Sequence, residues 1–342
     1  MGVDVVGLGL NATDVAIELP RYPEFNSKVE FLSAAWQAGG QVATALVVCQ
    51  RLGLRAKYIG SVGSDAAGNF QRESLEREGL DLTDLRVVAD CPNQTAYILI
   101  DQKSGERTIL WRRDSRLALR PEHLRPEMIR GARLLHVDGH DTAAAAQAAR
   151  WARQAGIPVT ADVDNLYPGL EALLDQVDTL ISSESFPGRY TGESDLLRAL
   201  EELRRRHPLK LVAATLGRDG VVGLAGERFL YQPAFVVPCR DTTGAGDVFH
   251  GAFIYALLQG WAMERILEFS NALAGLSCRT VGARSGIATR VEAEELMARG
   301  EHHPRRWQEL PPPTAPVAER APGGKPLVPP ALSGVEGSGG KG

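Results

Sequence analysis

The chain lacks the features that mark disulfide-bonded, zinc-binding and membrane-spanning proteins. It has only four cysteines in 342 residues, Cys49, Cys91, Cys239 and Cys278, and no two of them form a Cys-x-x-Cys pair. This spacing indicates reduced, buried thiols. No apolar run approaches the roughly 18 residues of a membrane span, and the N-terminus "MGVDVVGLGL" lacks the basic region of a signal peptide. We therefore expect a cytoplasmic protein.

An excess of charge of either sign is also absent. The chain has 38 basic and 42 acidic side chains, for a net charge of −4. Such a balance gives no electrostatic reason to expect a nucleic-acid or membrane partner. Hydrophobic residues make up 44% of the chain, which is ordinary for a globular protein. A small-molecule ligand is the expected partner.

Most of the chain alternates short apolar runs with amphipathic segments. The runs "VDVVGLGL", "AKYIGSVG", "ARLLHVDG", "PVTADVD", "DTLISS" and "KLVAATLG" have the length of buried strands, and helical patterns lie between them. This order predicts an α/β fold with a mostly parallel sheet that is covered on both faces.

Two regions interrupt this order, at about 12–35 and 93–113. Both alternate polar and apolar residues, and the second contains the turn signal "KSGE". We interpret them as antiparallel strands of a small separate sheet, which forms a lid. Because exposed sheet edges favour pairing, the lid also predicts a homodimer.

The C-terminal segment differs from the rest in composition. It is rich in proline and glycine and has no apolar periodicity, which is typical of disorder. We predict a folded domain at 1–305 and a disordered tail at 306–342.

A glycine-rich turn follows the first predicted strand. "GLGLNA" matches the dinucleotide pattern GxGxxA, but that pattern requires a helix to begin at its glycines. The continuation here is strand-like, which favours a simple tight turn over NAD binding.

The most informative stretch is "DTTGAGDVFHGAF", which begins at Asp241. Its glycines allow backbone N–H groups to approach an oxyanion, and a helix that begins near Asp247 adds its positive end. A carboxylate at such an anion site is suited to accept the proton of an attacking hydroxyl group. The alternative is an ordinary capping aspartate behind a turn.

This stretch closely resembles the signature of the ribokinase-like carbohydrate kinases, the phosphofructokinase-B type. "AGGQVATALVVCQRLG" and "YIGSVGSDAAG" are similar to the family's N-terminal signature, and other segments are similar to ribokinase and ketohexokinase. The resemblance runs from residue 3 to about 298. It implies a three-layer α/β sandwich with a β lid, and a kinase that transfers the γ-phosphate of ATP to a hydroxyl group of a sugar or sugar-like molecule.

The resemblance also implies catalytic and metal-binding roles. Asp247 would be the general base, and the amides of Gly244, Ala245 and Gly246 would form the anion hole. Mg²⁺ would accompany ATP. The pair Asp241 and Thr243, together with the loop "GARSG", resembles the family's monovalent-cation site, so potassium is a candidate cofactor.

For ATP, the resemblance implies contacts with Thr215, Gly217, Gly220 and Asn271. The family's N-x-x-E element, which organises Mg²⁺ and phosphate, has no clean counterpart in this chain. Glu184 in "SSESF" is the nearest acid, and we expect it to be the fifth residue that contacts ATP.

For the acceptor, the resemblance implies contacts with Asp14, Gly39, Gly40 and Thr44, and with Asn26 on the lid. Thr44 stands where the family has a sugar-binding asparagine. A hydroxyl group cannot present the paired donor and acceptor of an amide, so the identity of the substrate does not follow from the resemblance.

Two other functions remain open at this level. A nucleoside kinase of the same fold would need an aromatic platform for the base. The lid segments offer five candidates for it, Tyr22, Phe25, Phe31, Trp36 and Tyr97. A catalytically inactive sugar or nucleotide sensor would explain the replacement at position 44, but it would not need Asp247.

Several strand-end and lid residues are further candidates for the cleft. They are the acids and histidine Asp138, His140, Asp141, Asp162 and Asp164, and the lid arginines Arg112 and Arg113. The arginines would suit an anionic acceptor, or would simply be solvated.

Overall fold

The computed structural model describes residues 2–311. Its strands in chain order are β1 (Val5–Leu8), β2 (Ala12–Leu19), β3 (Ser33–Gly39), β4 (Ala56–Gly63), β5 (Leu85–Val88), β6 (Thr95–Asp101), β7 (Arg107–Arg112), β8 (Leu134–Asp138), β9 (Val159–Val163), β10 (Thr179–Ser183), β11 (Leu211–Thr215), β12 (Val221–Ala225) and β13 (Arg228–Gln232). The α-helices are α1 (Gln41–Arg51), α2 (Ala66–Arg77), α3 (Thr142–Gln154), α4 (Leu170–Leu174), α5 (Ser185–Thr191), α6 (Leu196–Arg206), α7 (Ala245–Leu258), α8 (Met263–Ser277) and α9 (Arg290–Arg299).

Within residues 2–311, nine strands form the large sheet, in the order β13-β12-β11-β10-β9-β8-β1-β4-β5. The pairs from β5 to β11 are parallel, whereas β12 and β13 add an antiparallel edge. The predicted mostly parallel sheet is confirmed. The chain continues from β1 into β2 without a helix at the glycines, so the GxGxxA segment does not form the dinucleotide-binding turn.

Helices cover both faces of this sheet, which makes three layers. One apolar core lies between the sheet and α3, α4 and α6, and the other lies between the sheet and α1, α7 and α8. Helix α1 is buried from Val42 to Cys49, because it packs against both the sheet and α7. The start of α7, where Asp247 lies, is therefore fixed by the second core.

The small sheet is the predicted lid, with the strand order β3-β2-β6-β7. Its two hairpins are antiparallel, but the central pair β2–β6 is parallel, which corrects the expectation of antiparallel strands throughout. The reason is that β2 follows β1 and β6 follows β5, and both hairpins leave the same edge of the parallel sheet. The first hairpin also extends to Gly39, beyond the expected limit at 35.

The last described residues pack on the sheet. His302 pairs with Phe235 in a β-bridge, and the Trp307 ring meets Tyr231 edge to face. The packed chain thus continues a few residues past 305. Most of the predicted tail, residues 312–342, lies outside the described residues. Between residues 2 and 311, no helix combines the length and the apolarity that are needed to cross a membrane.

Three of the four cysteines are buried, as expected, but Cys239 is exposed. It lies in the extended segment between β13 and α7, where the backbone runs along the edge of a cleft.

Candidate active site

A cavity of about 800 Å³ lies between the carboxyl ends of the parallel strands and the lid. This edge of an open α/β sheet is where ligands bind in such folds. We call the part beneath the lid the lid side, lined by Asp14, Gly40, Trp111, His140 and Tyr167. The other part, called the α8 side, is lined by Thr215, Gly217, Gly220 and Asn271.

The start of α7 separates the two sides. The helix begins at Ala245 rather than near Asp247, and Gly244 precedes it with φ of 75°. A Cβ on Gly244 would lie 2.7 Å from Cα of Ala283, so only glycine fits there. Gly246 faces open space, while the Ala245 amide donates to the carbonyl of Thr242 at 3.2 Å. All three residues line the cavity.

Asp247 lies in the first turn of α7 and also lines the cavity. Burial raises the pKa of its carboxyl group well above the ordinary value, and the charge of Asp162 raises it further. Arg107 opposes both effects and lowers this pKa. A carboxylate whose pKa is shifted toward neutrality is suited to general base catalysis near pH 7.

Arg107 is a site residue that the sequence interpretation did not identify. It begins β7 of the lid and its guanidinium donates to Thr242 Oγ1 at 2.5 Å, next to the glycine turn. The alternation of the strand was a usable signal, because it places Arg107, Ile109 and Trp111 on one face. The arginines considered instead do not line the cavity, and Arg113 forms an ion pair with Asp141 at 2.7 Å.

A buried histidine pair supports Asp162 at the end of β9. Nε2 of His250 lies 3.3 Å from Oδ1 of Asp162, and the His136 ring lies 5.4 Å from that of His250. Burial raises the pKa of Asp162, but His250 outweighs burial and leaves this pKa lowered. Asp162 therefore stays ionised near Asp247. His250 follows Asp247 by three residues, the spacing of one helical turn, and this spacing could have identified it.

The α8 side brings together four of the five residues predicted to contact ATP. Gly220 has φ of 93°, and a Cβ there would lie 2.0 Å from the carbonyl oxygen of Gln232. Asn271 donates to the same carbonyl at 2.9 Å. Glu184 is the exception, because its carboxylate is exposed and pairs with Arg306 at 2.6 Å, outside the cavity lining.

On the lid side, Asp14 is buried and faces the cavity. Burial raises its pKa to about 7, although Arg284 acts in the opposite direction. A Cβ on Gly39 would lie 2.1 Å from Oδ2 of Asp14, so this glycine makes room for the carboxylate. Gly40 has φ of 96° and lines the cavity.

The structure does not bring Thr44 or Asn26 to the cavity. Thr44 is fully buried on α1, and its hydroxyl lies 3.3 Å from Nε of Arg284, which also donates to the carbonyl of Gly39 at 2.7 Å. Arg284 thus lies beneath the cavity floor, between the lid and α1. Asn26 is exposed in the turn between β2 and β3, with φ of 58°.

The predicted cation loop is assembled around Asp241. Its buried carboxylate accepts from the amide of Thr243 at 2.9 Å, from the Thr243 hydroxyl at 2.7 Å and from the Gly282 amide at 2.8 Å. Within residues 2–311, no group of three or more His, Cys, Asp and Glu side chains could hold a metal ion.

The aromatic residues of the cavity are not the ones expected. The five candidates for a base platform, Tyr22, Phe25, Phe31, Trp36 and Tyr97, are exposed and lie outside the lining. Trp111, His140 and Tyr167 line it instead.

Asp138 is buried and accepts from the Leu10 and His140 amides at 2.6 and 3.0 Å.

Comparison with known proteins gives one family. The model of the pfkB family carbohydrate kinases matches residues 9–290. An ATP-dependent ribose-1-phosphate kinase from Halopiger xanaduensis is 30% identical over 87% of this chain and 99% of its own length. A nucleoside kinase from Methanothermobacter thermautotrophicus is 26% identical over 85% of this chain and 94% of its own length. The structure of Arabidopsis thaliana ribokinase complexed with ribose and ATP is similar, with a TM-score of 0.73, 25% identity and coverage of 87% and 99%.

Proposed function

The chain belongs to the pfkB family of carbohydrate kinases, and we propose that its 1–305 segment is one kinase domain in which Asp247 is the general base. As a member of this family it is a phosphotransferase with an alcohol acceptor, a sugar or nucleoside kinase that uses ATP. In the proposal ATP binds on the α8 side, and the acceptor binds beneath the lid next to Asp14.

The chemistry follows from the position of Asp247 between the two sides. The acceptor hydroxyl transfers its proton to the Asp247 carboxylate as its oxygen bonds to the γ-phosphorus, and the bond from this phosphorus to ADP breaks. The Gly244 and Gly246 backbone, at the positive end of α7, stabilises the charge on the transferring group. Arg107 adds a positive charge from the lid.

We propose one site for Mg²⁺ and a separate site for potassium. Asp164 lines the cavity, and Mg²⁺ is commonly held by one or two carboxylates together with substrate phosphates. Bound Mg²⁺ would neutralise phosphate charge. A potassium site is proposed at the Asp241–Thr243 loop, and activity in potassium buffer should exceed activity in sodium buffer.

The observation that carries the proposal is the buried Asp247 on the first turn of a helix that begins at Gly244 and opens into the cavity. The test is ADP release from Mg-ATP with a panel of sugars and nucleosides. Asp247→Asn should lower kcat by at least about a hundredfold. Asp90→Asn, at an exposed residue with φ of 51° outside the cavity lining, is the matched control.

Two results would contradict the catalytic proposal. Equal turnover of Asp247→Asn and wild type would exclude Asp247 as the base. Binding of an acceptor or ATP by calorimetry, without any turnover above background, would instead indicate a sensor.

The outer face of the lid supports a homodimer through the lid. Strand register places Trp36, Val15, Tyr97 and Leu110 in one row across this face, and three of the four are exposed. A second copy of the chain would cover this apolar row. Light scattering should give a dimer for wild type and a monomer for Tyr97→Lys; a monomeric wild type would contradict this.

A further inference from the structure

Three aromatic rings form a wall on the lid side of the cavity. They come from three separate elements: Trp111 from β7, His140 from the loop after β8, and Tyr167 from the loop after β9. The proposed reaction does not use any of them. A wall of this kind needs a ligand with an apolar or aromatic part, because bare ring surface in water is unfavourable.

The part of this wall that His140 and Tyr167 form is held in place before any ligand binds. The Tyr167 hydroxyl donates to Oδ1 of Asp164 at 3.0 Å, and its ring lies 5.0 Å from the His140 ring. A Cβ on Gly139 would lie 2.5 Å from the Tyr167 ring, so glycine at 139 permits the ring to pack on the backbone. The position of Tyr167 is therefore fixed by its surroundings.

Trp111, the lid residue of this wall, has apolar neighbours. Register places Trp111 opposite Ala96, and Ile109 opposite Ile98, on the face that lines the cavity. Trp111 is 58% exposed, and its ring meets that of His140 edge to face at a centroid distance of 6.2 Å. Alanine and isoleucine offer no hydrogen-bonding partner to a hydroxyl group. A bare polyol would leave these surfaces unused.

The charges around this wall disfavour a phosphorylated acceptor. Asp14, Asp164 and Asp247 line the cavity here together with the lid arginine Arg107, whereas Arg218 lines the α8 side next to Gly217. Arg113 is neutralised by Asp141. A phosphate group on the acceptor would therefore lie among carboxylates, with few positively charged side chains beside it.

From this geometry we infer that the acceptor is an uncharged nucleoside, whose base packs on Trp111, His140 and Tyr167 while its ribose hydroxyl groups reach Asp14 and Asp247. The inference rests on the proposed kinase function and specifies its acceptor. A flat base matches the rings, and the sugar matches the carboxylates. The transferred phosphoryl group goes to a ribose hydroxyl, and the proton of that hydroxyl goes to Asp247.

The test compares kcat/KM for adenosine, inosine, cytidine, uridine, free ribose, fructose and ribose 1-phosphate. At least one nucleoside should exceed free ribose by about tenfold or more, which is the usual size of base stacking on an aromatic ring. Trp111→Ala should reduce this preference by a similar factor, mainly through KM, and Trp111→Phe should restore most of it. Phe31→Ala is the matched control, because Phe31 is also an exposed aromatic residue of the lid segment but lies outside the cavity lining and the proposed dimer row.

A second variant covers the case in which Trp111→Ala does not fold. Tyr167→Phe removes the hydrogen bond to Asp164 and should weaken nucleoside binding more than binding of free ATP, with both measured by calorimetry without Mg²⁺. A higher kcat/KM for ribose, fructose or ribose 1-phosphate than for every nucleoside would overturn the inference and leave the kinase proposal intact. Absence of both nucleoside binding and turnover with any acceptor would overturn both.

Discussion

The two sides of the cavity are built differently, one mainly from backbone turns and the other mainly from side chains. The α8 side is shaped by backbone turns, in which Gly217 and Gly220 have positive φ and Asn271 ties a helix to a strand end. The lid side is shaped by side chains from separate segments, including Asp14, Trp111 and Tyr167. A backbone site can serve one constant ligand, ATP. A side-chain site can change with the acceptor while the fold stays the same.

The same contrast explains where charge is buried. The lid side contains Asp14, with a pKa of about 7, and Arg284 beneath it. The charge of Arg284 lowers the pKa of Asp14, and Arg284 itself is held by hydrogen bonds to Gly39 and Thr44. Changes there should affect the fold and acceptor binding together, whereas changes on the α8 side should affect ATP alone.

The largest effect is expected from Arg284→Met, which removes the buried positive charge beneath the lid side. Arg284 is buried and donates to Gly39 and Thr44, so its loss leaves buried acceptors and Asp14 without their cation. The free energy of unfolding should fall by about 3 kcal/mol or more. Arg279→Met is the control, because this exposed arginine pairs with Glu292 and should cost under about 1 kcal/mol. Urea unfolding measures both, and equal losses would contradict the role given to Arg284.

An intermediate effect is expected from Gly220→Ala, which distorts the α8 side. The new methyl group would collide with the Gln232 carbonyl, at a φ that alanine rarely adopts. The KM for ATP should rise by about tenfold, because the turn shifts, while the KM for the acceptor stays unchanged. Gly226→Ala has a similar positive φ but open space, so its KM values should match wild type. A rise in acceptor KM alone would reverse the assignment of the two sides.

The smallest effect is expected from Asp162→Asn at the border between the sides. The charge of Asp162 raises the pKa of Asp247, and the base acts only when it is deprotonated. Activity therefore increases as pH rises through this pKa. Removing the charge lowers the pKa, so the rising limb of kcat/KM against pH should move to lower pH. Asp90→Asn should leave the limb in place, and a shift of the Asp162→Asn limb to higher pH would contradict the electrostatic argument.

The residues named from the sequence line the two sides of the cavity unevenly. Thr215, Gly217, Gly220 and Asn271 were predicted and do line the cavity, because local turn patterns specify them. On the lid side, Thr44 and Asn26 were predicted but lie outside the lining. Trp111, His140 and Tyr167 come together from segments that are far apart in sequence, and no local pattern reports that they meet.

The sequence by itself determined the alternating α/β order, the lid hairpins and the glycine turn before Asp247. Each of these depends on neighbouring residues: hydrophobic period, turn chemistry and the conformational freedom of glycine. Only the tertiary structure decided that β2 and β6 pair in parallel, that Arg284 donates to Thr44 and that Arg107 donates to Thr242 before α7. Those contacts join residues 82 to 240 positions apart, and they exist only after the two hairpins and the large sheet have packed together.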